Sequence, residues 1–276
     1  YNYIESYSTS SQEEIIRWVD VRGHPLYLNQ PPVNIAETFQ QRLGSYNASN
    51  VFTSASLAIN NDFRHFSQQL GLQQTTAHVW DSPFDYPAQT ALYLPLDLPE
   101  PSHPDFFDHF IKRTIQLLSY SDGHAFVLFT SHAALSRAAE TLANAIDFPL
   151  FIQGSAPRSD LLNRFRQTKH AVLLGTNSFW EGVDVKGEAL SLVIIDKLPF
   201  ASPDDPVLQA RLNHLSRQGV NAFMEYQVPQ AAITLKQGIG RLVRDTDDRG
   251  VCVICDKRIV NKAYGKRLLR ALPAMP

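Results

Sequence analysis

From residue 105 onward, short apolar runs alternate with segments whose apolar residues recur every three or four positions. The second pattern marks amphipathic helices, and "PDFFDHFIKRTIQLLSYS", "AALSRAAETLANAI" and "RSDLLNRFRQT" carry it. The runs "HAFVLFTS", "PLFIQG", "HAVLLGT", "LSLVIID" and "GVCVICD" have the length and composition of buried strands. A helical stretch is predicted from about Pro206 to Arg244, and a last one in "VNKAYGKRLLRAL". Apolar strands separated by amphipathic helices predict an α/β fold: three layers, with a mainly parallel sheet covered by helices on both faces.

The earlier part of the chain has a different pattern. In residues 1–50, "EEIIRWVDV" and "PLYLNQ" are β-like runs around "RGH", forming a hairpin, and "VNIAETFQQRLGS" is an amphipathic helix ending near Gly44. In residues 51–104, "NVFTSASL" reads as an apolar strand running into a polar turn. A proline-rich connector follows, with one edge strand at "TALYLPL". Residues 105–276 form the α/β domain.

Ligands of a parallel sheet sit beyond the carboxyl ends of its strands. Those ends are "FTSH" at 129–132, "IQGS" at 152–155, "LGTNSFWEGVD" at 174–184 and "IDKLPF" at 195–200. Thr176, Ser178 and the backbone N–H groups beside them suit phosphate oxygens, and Glu181 and Asp184 suit a ribose, a metal or an arginine. An ordinary polar loop turning at Gly182 explains the same residues. Ser131 is either a simple helix N-cap or an N-cap whose helix N–H groups face a phosphate. Phe179 and Trp180 either stack on bases or pack internally, and Phe200 is similarly ambiguous. Pro206 reads as the first residue of a helix capped by Asp204 or Asp205.

The stretch "LKQGIGRLVRD", Leu235 to Asp245, reads as a helix with two glycines, each costing roughly 1 kcal/mol relative to alanine. Gln237, Arg241 and Arg244 follow at i, i+4 and i+7, one stripe of that helix, with Gly240 beside them. Such a face presents planar, permanently charged donors suited to phosphate, or is a solvated arginine face.

Composition narrows the partners. The net charge is −2, but from Lys236 onward ten Lys and Arg face four Asp, a net of +6, leaving 15 basic against 23 acidic residues, −8, before it. An anionic partner is therefore expected near that stretch. Cys252 and Cys255 fall on opposite faces of a strand and read as buried hydrophobes, so no zinc or iron–sulfur site is expected of them. No apolar run approaches the roughly 20 residues that span a bilayer, and the first residues lack a signal-peptide pattern. The expectation is a cytoplasmic protein with no membrane partner.

Taken in order, "VFTSASL", "VLFTSH", "LLGTNSFWEGVDVKG", "VIIDKLPF" and "QGIGRLVRDTDDRGVCVICDKR" resemble motifs III to VI of superfamily 2 DNA helicases of the DinG and XPD group. "SAS" stands in motif III where that group more often has "SAT", which keeps a hydroxyl. The ending "YGKRLLRALPAMP" is most similar to the YoaA branch of DinG-like helicases. The resemblance implies a RecA-like second motor domain. It implies catalytic roles for Gln237, Arg241 and Arg244 at a γ-phosphate, nucleotide-site roles for Gly240, Glu181 and Asp184, and contacts of Thr130, Ser131, Thr176 and Ser178 with single-stranded DNA.

The phosphate loop GxxxxGK[ST], the DEAH-type acidic box and four cluster-binding cysteines are not in this sequence. The resemblance assigns them to a first motor lobe, which implies a C-terminal fragment that is inactive alone. It implies ATP and Mg²⁺ held mainly by that lobe, and an iron–sulfur cluster in the full-length protein. The implied partners are single-stranded DNA, the protein's own first lobe and, through the YoaA likeness, the χ subunit of DNA polymerase III. A nucleotide-sugar transferase would match the fold class but not the motif order.

Overall fold

The computed structural model describes residues 15–21, 23–176, 179, 185 and 187–276. In chain order the elements are β1 (Trp18–Val21), β2 (Leu26–Asn29), α1 (Ala36–Gly44), α2 (Arg64–Leu70), α3 (Tyr86–Gln89), β3 (Thr90–Tyr93), α4 (Phe106–Tyr120), β4 (Ala125–Leu128), α5 (His132–Leu142) and β5 (Leu150–Ile152). They continue with α6 (Arg158–Gln167), β6 (Val172–Gly175), β7 (Leu192–Ile195), α7 (Pro206–Arg217), α8 (Val228–Ile239), β8 (Gly250–Ile254), α9 (Arg258–Asn261) and α10 (Gly265–Ala271). Two compact units emerge: Tyr1–Val79 with Ala201–Pro229, and Trp80–Phe200 with Gln230–Pro276.

In the first unit β1 and β2 pair antiparallel, with Trp18 opposite Asn29, and Gly23 turns the chain between them at φ 69°. The predicted strand in "NVFTSASL" does not form. A strand needs a neighbour for its backbone groups, and among the described residues none runs beside it. Val51 is 83% exposed, while Phe52 makes ring contacts with Phe39 and Phe66. Pro206 does open α7, and the Asp205 carboxylate accepts the N–H groups of Val207 and Leu208 at 2.8 and 3.0 Å. The helix predicted to run on to Arg244 stops here at Arg217. Gly219 takes φ 75°, and the Val220 N–H closes back on the Leu215 carbonyl, a glycine-terminated helix end. A π-helical turn, Phe223–Gln227, precedes α8.

The second unit holds a six-stranded sheet of order β3-β8-β7-β4-β6-β5, with every pairing parallel. All residues of β4, β6 and β7 are buried, as expected of strands covered on both faces. On one face α4 and α5 pack Phe110, Leu118 and Leu142 against Val127, Leu174, Ile194 and Val253. On the other, Phe165 of α6 lies 4.9 Å from Phe126. Cys255 belongs to the first face with Val253, and Cys252 points to the other; both are free and fully buried. The edge strand β3 is the predicted one, and its Leu92 N–H donates to the Pro276 carbonyl.

The order of strands places the sheet's reversal at its centre. From β4 the chain builds β5 and β6 on one side, then crosses to β7 and β8 on the other. The crevice beyond the carboxyl ends of β4 and β7 is therefore the topological switch point.

Candidate functional site

The Gln237–Arg244 stretch is only partly helical. Helix α8 ends at Ile239, and Gly240 follows it, so Arg241 and Arg244 leave the helix instead of sharing its face with Gln237. Gly240 donates the last helical hydrogen bond, to the Lys236 carbonyl at 2.9 Å. A Cβ on Gly240 would sit 3.1 Å from that carbonyl, a tight fit but not a collision.

The cause of the departure is Asp248. Its carboxylate, 8% exposed, accepts the backbone N–H groups of Arg244 at 2.7 Å, Asp245 at 2.9 Å and Gly187 at 3.0 Å. Hydrogen bonds to a charged acceptor contribute about 1.5–3 kcal/mol each, more than the neutral helical bonds they replace. From α3, the buried Gln89 carboxamide donates to the carbonyls of Asp245, Thr246 and Asp248 at 2.9, 3.1 and 3.1 Å. Burial raises the Tyr86 phenol on the same short helix, and the charge of Arg244 is among the influences that lower it, which places that guanidinium near α3. Arg241 is 7% exposed. The Gln237 Oε1 atom is buried with no hydrogen-bond partner among the described residues. No local signal marks Asp248, Gln89 or Tyr86 in the sequence: Asp248 is one of three aspartates in a polar run, and Gln89 and Tyr86 lie in a connector without periodicity.

The strand-end candidates divide. Ser131 is exposed and caps α5, accepting the Ala134 N–H at 3.2 Å. Thr130 donates its N–H to Asp196 at 3.0 Å. Thr176 is buried, with its N–H and hydroxyl on the Gln153 carboxamide oxygen at 2.6 and 3.2 Å. These three residues follow the adjacent strands β4 and β6. Phe179 is 1% exposed and packs against Gly175, so it is a packing residue here. Ser178, Trp180, Glu181 and Asp184 lie outside the described residues.

Two further acids sit at the strand ends. Burial pushes the Asp196 carboxyl up to about 7, although N–H bonds from Lys197 and Thr130 favour its charge. Asp256 is fully buried and accepts the Leu198 N–H at 2.9 Å and the Arg258 guanidinium at 2.6 Å. That hydrogen bond raises the Arg258 pKa further. Among the described residues no group of three or more His, Cys, Asp or Glu could hold a metal ion. Burial raises both thiols, and their placement on opposite faces prevents Cys252 and Cys255 from sharing one iron. No helix of the described residues is long and apolar enough to cross a membrane.

The site is thus a parallel α/β domain with serine and threonine at its strand ends and a loop carrying Arg241 and Arg244 after α8. A family model described as a helicase C-terminal domain matches residues 114–275, and the chain belongs to that family. The ATP-dependent DNA helicase YoaA of Escherichia coli (strain K12) is 42% identical over 259 residues, which take in 94% of this chain and 41% of that protein. The ATP-dependent DNA helicase DinG of Photobacterium profundum is 35% identical over 254 residues, 88% of this chain and 36% of that protein. Among solved structures, "XPD_Helicase" superposes with a TM-score of 0.71 over 100% of this chain and 49% of its own, at 17% identity, a likeness of fold. The likeness to YoaA and DinG expected from the motifs is present in sequence, and the likeness to XPD is present in fold. The chain spans about two fifths of the length of the curated relatives it matches.

Proposed function

We propose that this chain is the second motor domain of an ATP-dependent DNA helicase that moves 5′ to 3′ in DNA repair or replication. Arg241 and Arg244 would act as arginine fingers on the γ-phosphate of ATP, with Gln237, Gly240, Glu181 and Asp184 completing this half of the nucleotide site. Thr130, Ser131, Thr176 and Ser178 would face the single strand. The observation that carries this reading is the loop built by Asp248 and Gln89, which holds the Arg244 backbone off the end of α8. Guanidiniums held rigidly where charge develops stabilise a phosphoryl-transfer transition state without reorganising. The orphaned Gln237 oxygen is an acceptor suited to a donor from a ligand or a facing domain.

The Arg241 and Arg244 guanidiniums would suit a nucleotide's phosphates, and Mg²⁺ and most of the ATP contacts would be held by a first motor lobe. Magnesium bound there would neutralise phosphate charge. An iron–sulfur cluster would likewise be held outside these residues. The test is Arg244→Ala in the intact protein. Turnover of ATP should fall roughly 10³-fold or more, the size of an arginine-finger effect, with nucleotide binding retained. Turnover within tenfold of wild type would overturn the reading.

A second reading, docking of a replication partner such as the DNA polymerase III χ subunit, is favoured by Lys266, Arg267 and Arg270, all exposed on and around α10. Charge reversal at these three positions should then abolish co-purification with χ while leaving ATP turnover unchanged.

A further inference from the structure

A pocket of about 310 Å³ opens at the switch point of the sheet, between the end of β4 at Phe129 and the end of β7 at Asp196. None of the residues assigned above to the nucleotide lines it. Its size is at the lower end of the roughly 300–1,000 Å³ of small-ligand sites, enough for one ring with its sugar. Phe110 and Phe129, packed edge to face at 5.9 Å, form part of its wall. Phe107 is partly exposed at the rim, and the Arg137 guanidinium lies 3.8 Å from its ring centroid, steadied by Asp108 at 3.1 Å. Lys197 completes a cationic rim.

We propose that this pocket receives one unstacked base of a bound single strand, stacked at Phe107 and Arg137, with the neighbouring phosphate on Lys197. The assignment rests on the reading of the chain as a DNA motor domain. Three features favour a base over other occupants. Aromatic faces stack on any base whatever its sequence. Phe110, Phe129 and the buried acid Asp196 give the pocket wall no cation to draw a phosphate in, while Arg137 and Lys197 favour one close to the opening. The wall also includes Ala133 and Ala134, in the first turn of α5, the helix that Ser131 caps. A strand whose backbone met Ser131 would have a base close to this opening.

The experiment uses the intact protein and oligothymidylates carrying 2-aminopurine at one position at a time, whose fluorescence rises on unstacking. At one register, wild-type binding should raise the signal several-fold. Phe107→Ala should remove that rise and weaken binding about tenfold, within the range expected for loss of one stacked base, while Phe107→Trp keeps both. Lys197→Ala should lower the salt slope of binding by about one, and it reads the same pocket if Phe107→Ala does not fold. Wild-type fluorescence and affinity in Phe107→Ala, or an unchanged salt slope in Lys197→Ala, would overturn the pocket alone. Failure of the wild type to bind any single strand would overturn the pocket together with the motor reading.

Discussion

The Gln89 side chain donates a 3.1 Å hydrogen bond to the backbone carbonyl of Asp248, 159 residues further along the chain. With the Asp248 carboxylate accepting from Arg244 and Asp245, the loop is gripped from both sides: its carbonyls by Gln89, its N–H groups by Asp248. The third donor, Gly187, joins this loop to the end of the motif that contains Glu181 and Asp184.

Asp248→Asn leaves one oxygen for three N–H donors and turns an amino group towards the others. If the loop presents Arg244 to phosphate, ATP turnover by the intact protein should fall roughly 10–100-fold with KM within about threefold, because misplacement by an ångström costs that much. Gln89→Ala should act in the same direction. In an Arg244→Ala background neither change should lower turnover further, which separates positioning from general damage. A kcat equal to wild type in Asp248→Asn would refute the role.

Asp196 predicts a pH dependence. Its carboxyl is raised from 3.8 to about 7 by burial, so between those values the folded chain keeps a proton that the unfolded chain has lost. Stability should therefore fall as pH rises through that window and level off above it, by up to about 4 kcal/mol. Asparagine keeps an oxygen for the Thr130 and Lys197 N–H groups and donates to the Thr130 hydroxyl. Asp196→Asn should raise Tm at pH 8 relative to wild type, with the difference shrinking towards pH 5. A lower Tm at pH 8 would contradict the account.

Gly175 ends β6 against Phe179. A Cβ at that position would lie 2.7 Å from the Phe179 Cβ and 2.9 Å from its Cγ. Gly175→Ala should cost about 1–3 kcal/mol in urea unfolding, as overpacked cores do. An unchanged midpoint would show that Phe179 can move aside freely.

What the chain's local pattern determined is the sheet. Residues 125–128, 172–175 and 192–195 are continuous apolar runs, and such runs flanked by amphipathic helices are stable only as parallel strands buried on both faces. The N-cap at Ser131 was equally local, and that of α7 was narrowed to Asp204 or Asp205, because a cap needs only residues two or three positions away. The tertiary structure decided where local and distant partners compete. In "LKQGIGRLVRD" the 3.6-residue period favours one continuous helix, yet the Asp248 carboxylate and the Gln89 amide draw the chain away after Ile239. In "NVFTSASL" the apolar pattern favours a strand, but a strand forms only beside another, and none is at hand among the described residues. Within the strand end "IDKLPF" nothing local distinguishes Asp196; burial in the assembled fold raises its pKa and sets it into the wall of a pocket. Periodicity reports what a segment buries, whereas hydrogen-bond partners remote in the chain and the dielectric around a charge exist only once the sheet has assembled.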